Sequence, residues 1–206
     1  MEHWTVTIHP EAEVELAQLS PMLQIQFLFS TEMLLHAKVN QLRLTPLKRI
    51  KGCVHVMRIY GEDDEKCKLF IATHEQQLQV LHFTQKTTAN FADEALRIAE
   101  SRSSFSFYKL FSTLRTEMLL KSSLEATYHS LTDSFGLAKE LTYARYDSGL
   151  TQQDVAERMG TTQSVVARME SGKQMTSLRS LDRYANAIGY NISLKLEPKK
   201  PGANKL

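Results

Sequence analysis

An α+β unit with an antiparallel sheet, followed by an all-α unit that ends in a short strand, is the fold class this sequence predicts. Three observations carry the prediction. Residues 1–104 hold one alternating stretch and three strand-like runs joined by short turns, with helical patterns before and after the runs, whereas beyond Ser103 the helical period dominates. The charge divides at the same place: residues 1–104 hold 11 Lys/Arg against 13 Asp/Glu, residues 105–206 hold 14 against 10, and a net +2 conceals halves of −2 and +4. Six of the seven histidines lie in the first half, with only His129 in the second. Halves of opposite charge point to two units with different work.

Composition excludes several classes. With 42% hydrophobic and 23% charged residues the chain builds a core and is not disordered as a whole. No apolar run approaches the roughly 20 residues that span a bilayer. The opening MEHWTVTIHPEAEVEL turns acidic where an export signal would be apolar, so a cytoplasmic protein without membrane contact is expected. Cys53 and Cys67 form neither a CxxC pair nor a disulfide framework and are expected in or beside strands as small hydrophobes.

The elements follow in order. His3 to His9 alternates as a half-buried strand. Pro10 and the acidic Glu11, Glu13 and Glu15 open a helix to about Leu19. Ser20-Pro21 caps a longer helix to about Ala37, apolar enough to be the main packing helix. A basic connection, QLRLTPLKRIKG, precedes three strands at Val54–Tyr60, Cys67–Thr73 and Leu78–Phe83, whose short turns imply an antiparallel meander. Phe91–Arg102 closes the unit as a helix. The junction SRSSFSFYKLFS is too aromatic for a free linker, so Phe105, Phe107, Tyr108 and Phe111 should dock. One helix is expected from Leu114 to Leu131, mostly helix to Gly189, a strand over Asn191–Glu197 and a disordered tail from 198. The implied division is 1–104, a junction at 105–132, 133–197, and the tail.

The strongest motif is GLTQQDVAERMGTTQSVVARMESGKQMTSLRSLDRYANAIG. Thr151 caps a helix over Gln152–Met159, Gly160 turns the chain, and Thr162 starts a second helix with Val165, Val166 and Met169 inward. Two short helices joined this way present the second to a DNA major groove. These segments resemble the helix-turn-helix of the phage-repressor (XRE/Cro) family. The resemblance implies that Gln152 touches a phosphate, that Gln163 and Ser164 read bases beside Thr162, and that Arg168 and Lys173 hold the backbone. Glu170 would be structural. Such modules dimerise on palindromic operators, and the alternating Ile192, Leu194 and Leu196 offer a homodimer seam.

In the first half no metal-ligand spacing, Gly-rich phosphate loop or nucleophile pair stands out, so no metal or cofactor is expected. What remains are cations on and beside the sheet: Arg58, Lys66, Lys68, Lys86 and Arg97. RNA is cleavable without metal where cations hold the scissile phosphate in line and stabilise its developing charge. The pieces HWTVTIHPEAEVELAQL, PLKRIKG, VMRIYG, CKLFIA, LQVLHFTQKT and ADEALRIAESR together resemble the HigB branch of the RelE toxin family. By that resemblance Arg58, Lys68, Lys86 and Arg97 are catalytic cations of an mRNA-cleaving, ribosome-associated toxin, and Lys48, Arg49 and Lys51 steer RNA. His82 is the nearby group that titrates near neutrality, either for proton transfer or as a packed strand residue. Two departures stand out: lysine at 68 lacks the guanidinium fork, and this half is acidic where such toxins are basic.

HigB-like toxins and HigA-like antitoxins are normally separate chains. Their succession here implies a bacterial or phage fusion in which the second half neutralises the first in cis and represses their shared promoter. Translation from Met118 would release the second half alone. The alternative is a regulator whose toxin-like half is inert.

Overall fold

A computed structural model describes residues 4–63, 65–85, 89–103, 108–172 and 176–195. Strand β1 (Thr5–Ile8) runs into α1 (Pro10–Ala17), where Pro10 occupies the first turn and the backbone N–H of Glu11 donates to Nδ1 of His9 at 3.2 Å. Ser20 caps α2 (Pro21–His36) by accepting from the Leu23 N–H at 3.3 Å. Helix α2 buries Leu23, Ile25, Phe27, Leu28, Phe29, Met33 and Leu34, so it is apolar around most of its girth and must be covered on two sides. One cover is the sheet, where Phe27 meets Phe83 edge-on, with Phe111 from a later helix meeting the same ring edge-on. The other is helical, where Phe29 stacks on Phe135 with centroids 4.3 Å apart.

Strands β2 (Lys48–Lys51), β3 (Val54–Tyr60), β4 (Lys66–His74), β5 (Gln77–Thr84) and β6 (Lys109–Leu110) join β1 in the order β2-β3-β4-β5-β1-β6. The meander β2 to β5 is antiparallel, as the short turns require; β1 lies parallel to β5, so the sheet is mixed rather than antiparallel throughout. Helix α2 covers one face, and α3 (Ala89–Arg102) packs Ala95 and Ala99 over Val54, Phe70, Ala72 and Leu81 on the other.

The second half begins with α4 (Phe111–Leu119) and α5 (Ser122–Ser130), two helices rather than the single one expected, broken at Leu120–Lys121. Phe111, Leu114, Met118 and Leu124 are buried in the same core as α2. The expected docking of the junction holds for Phe111 and for the half-buried Tyr108; Phe105 and Phe107 lie outside the described residues. Then come α6 (Thr132–Asp147), α7 (Gln152–Met159), α8 (Gln163–Met169) and α9 (Leu178–Ile188), whose Leu141, Val155, Val166, Met169, Leu181 and Tyr184 form a second core.

Other expectations are corrected. The basic connection contains a 3₁₀ turn over Val39–Leu44 and the exposed strand β2. Cys67 is buried in β4, where burial pushes its thiol up to about 12, but Cys53 is exposed in the β2–β3 turn rather than packed as a small hydrophobe. The described part of the expected C-terminal strand, residues 191–195, is not in strand conformation. Leu196, Glu197 and the tail from 198 lie outside the described residues.

The halves are tied by charge as well as by packing. Glu32 of α2 accepts from Arg115 Nε of α4 and from Lys139 Nζ of α6, both at 2.6 Å. Burial works to raise the Glu32 pKa, but these two cations outweigh it and hold the carboxyl below its usual value of 4.5. Glu15 behaves alike: burial opposes, while His82, the Phe83 N–H and Arg102 prevail and lower it from 4.5. A depressed carboxyl contributes stability that is complete above its unfolded pKa and disappears as pH falls through the folded one. The contribution of these two carboxylates to thermal stability should therefore be complete at neutral pH and fall as pH drops below about 4.5, and Glu32→Gln should remove part of that acid slope. An acid limb identical in Glu32→Gln would contradict the Glu32 contribution.

Candidate nucleic-acid interface

The turn between α7 and α8 follows from local chemistry. Thr151 and Asp154 form a reciprocal cap: the Asp154 N–H donates to Thr151 Oγ1 at 3.1 Å and the Thr151 N–H to Asp154 Oδ2 at 2.7 Å. Gly160 ends α7 at φ 61°, a left-handed conformation that glycine adopts without steric cost. Val155, Ala156 and Met159 are buried as expected; of the three inward residues on α8, Val166 and Met169 are buried and Val165 half-buried. On the outer side of α8, Thr162, Gln163, Ser164 and Arg168 are exposed. Thr162 provides no side-chain cap; its hydroxyl bonds that of Ser164 at 2.9 Å.

Beneath this surface Glu170 is 3% exposed and Arg145 wholly buried. The Arg145 guanidinium grips both carboxylate oxygens with Nε and Nη2 at 2.7 Å each, and Tyr184 donates to the same carboxylate at 2.6 Å. Arg145 Nη1 also donates to the Leu44 carbonyl at 2.8 Å, so the arginine that braces the second core also holds the end of the 3₁₀ turn in the first half. The structural reading of Glu170 is thus accounted for. Gln152 is drawn into the same cluster, donating to Glu170 at 3.0 Å and accepting from Gln163 Nε2 at 3.3 Å. Lys173 lies outside the described residues.

On the sheet, Arg58 of β3 and Lys68 of β4 are directly opposed in register, and Lys68 faces Thr84 in turn. Like charges directly opposed are destabilising, and neither cation has an ion-pair partner among the described residues. Lys86, two positions past Thr84, lies outside the described residues. Arg97 does not join the row. Ala95 and Ala99 turn inward on α3, which leaves Arg97 exposed, with Nε near its own helix's Asp93 carbonyl at 3.4 Å. His82 is buried and held by Glu15 at 2.9 Å, with Arg102 donating to Glu15 at 2.8 Å and to the Leu81 carbonyl at 2.9 Å. Arg102, which ends α3 and fixes this network, escaped the sequence reading. Of the proposed steering residues, Lys51 pairs with Glu100 at 2.7 Å and Arg49 folds onto the Gly52 carbonyl at 2.8 Å. Lys48 has no ion-pair partner among the described residues.

The two halves pack mainly through α2 against α5 and α6. Strand β2 pairs with Val54–Val56 of β3, and beside it Lys48 and Arg58 line one cleft with Gln152, Gln163 and Ala167.

A family model described as helix-turn-helix matches residues 143–195, which span α7, the turn, α8 and α9. No curated protein matches the chain. The second half therefore carries a helix-turn-helix of the kind DNA-binding regulators use, and no helix among the described residues is long and apolar enough to cross a membrane.

Proposed function

We propose that the chain is a sequence-specific DNA-binding autorepressor in which the helix-turn-helix half is fused to, and neutralises, a HigB-like toxin unit. In this reading the units are 1–104 and 133–197, the junction 105–132 packs them together, and homodimers read a palindromic operator. Gln163 and Ser164 read bases, and Arg168 with Lys173 contacts phosphates. The observation that carries the reading is that Lys48 and Arg58 line one cleft with residues of α6 to α8. The opposed pair of Arg58 and Lys68 is an arrangement that an RNA phosphate would relieve. A second reading, a regulator with an inert toxin-like half, is favoured by the outward Arg97 and by the locking of His82 between Glu15 and Arg102.

Residues 1–104 alone are a poor test, since β6, Phe111 and Leu114 complete the first core. The test keeps the full chain and loosens it with Glu32→Ala, which deletes the anchor of Arg115 and Lys139. Intact protein should leave labelled RNA uncut, Glu32→Ala should cut it without metal, and adding Lys68→Ala should abolish cutting. If folded Glu32→Ala cuts nothing, the inert reading stands.

A further inference from the structure

Hydrogen bonds fix the first half against the reading helices of the second. Arg145 Nη1 holds the Leu44 carbonyl at 2.8 Å, and Gln41 Nε2 donates to the Tyr146 carbonyl at 3.0 Å. Gln26 Nε2 donates to the Ser171 carbonyl, just past α8, at 3.2 Å. Ala37, Leu44 and Tyr146 close a small buried cluster at the same junction. The segment that runs from the 3₁₀ turn into β2 therefore keeps a set position beside α7 and α8. What it presents there is positive charge. Arg43, Lys48 and Arg58 are exposed, and none has an ion-pair partner among the described residues. Lys48 is opposite Val56, and Arg58 follows two positions on, so both side chains leave the sheet on one face. Arg43 lies near the start of α7: after the Thr151 hydrogen bonds, its charge and that of Arg158 help hold the Asp154 carboxyl below its usual 3.8.

The shape of DNA supplies these cations with a partner. A major groove is about 12 Å wide and an α-helix with its side chains about 10–12 Å across, so a phosphate strand runs along each flank of a helix seated there. Lys48 and Arg58 line one cleft with Gln152 and Gln163, the two residues read as touching a phosphate and a base. At about 340 Å³ that cleft admits no duplex, so DNA meets its rim and not its depth. Among the described residues the one carboxylate in its lining is Glu170, already taken by Arg145. The wall beside α8 therefore attracts a polyanion.

We propose that the first half is itself part of the DNA interface: with α8 in the major groove, Lys48 and Arg58, joined by Arg43 beside α7, contact phosphates of the strand that flanks the helix. This rests on the reading of α8 as the DNA helix and adds to it contacts from outside the helix-turn-helix. Such contacts carry no sequence information; they strengthen binding to any duplex and fix the register of α8. Arg58 also stands in the cation row assigned to RNA, so duplex and RNA exclude one another there.

Fluorescence anisotropy of the full chain with a labelled duplex of mixed sequence, at salt concentrations from about 50 to 200 mM, tests this. Each phosphate contact adds about 0.9 to the slope of log affinity against log salt. Arg43→Gln, Lys48→Gln and Arg58→Gln should therefore each lower the slope by about one, and the triple variant by nearly three. At the low-salt end the triple variant should bind at least about tenfold more weakly. Its melting temperature should stay within about two degrees of the parent, since all three side chains are exposed. Lys121→Gln, an equal loss of charge at the exposed break between α4 and α5, should leave the slope unchanged. Arg168→Gln, on α8, tests the underlying reading. If Arg168→Gln lowers the slope and the triple variant lowers it by less than one, α8 binds DNA without the first half, and this proposal alone is overturned. If neither lowers it, the reading of α8 falls and the proposal with it. An equal loss in Lys121→Gln overturns the proposal, because net charge and not position would be responsible. Tighter binding by the triple variant overturns it as well, since the first half would then screen α8 from DNA.

Discussion

Glu170→Ala should unfold the protein at a much lower temperature, by roughly 10 °C. The carboxylate is 3% exposed and neutralises a guanidinium that solvent does not reach. It accepts from Arg145 twice, from Tyr184 and from Gln152; Tyr184 can still donate to the Leu141 carbonyl, but the two guanidinium donors lose their partner inside the core. Removing one partner of a buried pair costs about 3–5 kcal/mol, because the remaining charge stays buried without compensation. In a chain of this length each kcal/mol moves the midpoint by roughly 2–4 °C. Arg145 also holds the Leu44 carbonyl across the junction, so both halves should melt together at the lower temperature. Glu170→Gln, which retains an acceptor but no charge, should fall between. Calorimetry decides it: a loss under about 1 kcal/mol, the cost of an ordinary substitution, would mean that the pair does not brace the fold.

The second large effect is on DNA. Gln163 and Arg168 are exposed on α8 and bury no apolar surface in the second core, so replacing both by alanine should leave the melting temperature within a degree or two. Losing a bidentate base contact costs about 1–3 kcal/mol of discrimination, and losing a phosphate contact weakens binding to all sequences and lowers the salt slope by about one. Together the two changes should reduce operator affinity by roughly 10- to 1000-fold in fluorescence anisotropy at moderate salt. An unchanged affinity would remove α8 from the interface.

The parts of the fold that were legible in the sequence are those whose determinants are local. The α7–α8 turn is readable because Thr151, Asp154 and Gly160 act within a few residues. The meander is readable because short apolar runs are separated by short polar turns. Strand β2 is not, since all four of its residues are exposed and no apolar alternation marks it. Over 190–195 the reverse happened: Ile192 and Leu194 alternate as in a strand, yet strand formation depends on a neighbouring edge that the pattern does not encode. Helical phase misassigned the cations of α3. Ala95 and Ala99 decide which way the helix faces, and they send Arg97 out while Arg102 turns into the Glu15 network. The Arg58–Lys68 row was readable once the strands were paired. The cleft was not, because Gln26, Lys48, Arg58, Tyr146 and Gln163 come from five separate elements.

The measurement that bears most directly on the central claim is selection of duplexes from a random pool by the full-length chain, followed by competition between the enriched duplex and its shuffled counterpart. Sequence-specific readers hold their sites about 10³-fold or more tighter than other DNA. The account predicts an enriched palindromic motif with half-sites about one helical turn apart, preferred by at least that factor and lost in Gln163→Ala. Equal binding of enriched and shuffled duplexes, at every salt concentration from 50 to 200 mM, would contradict it.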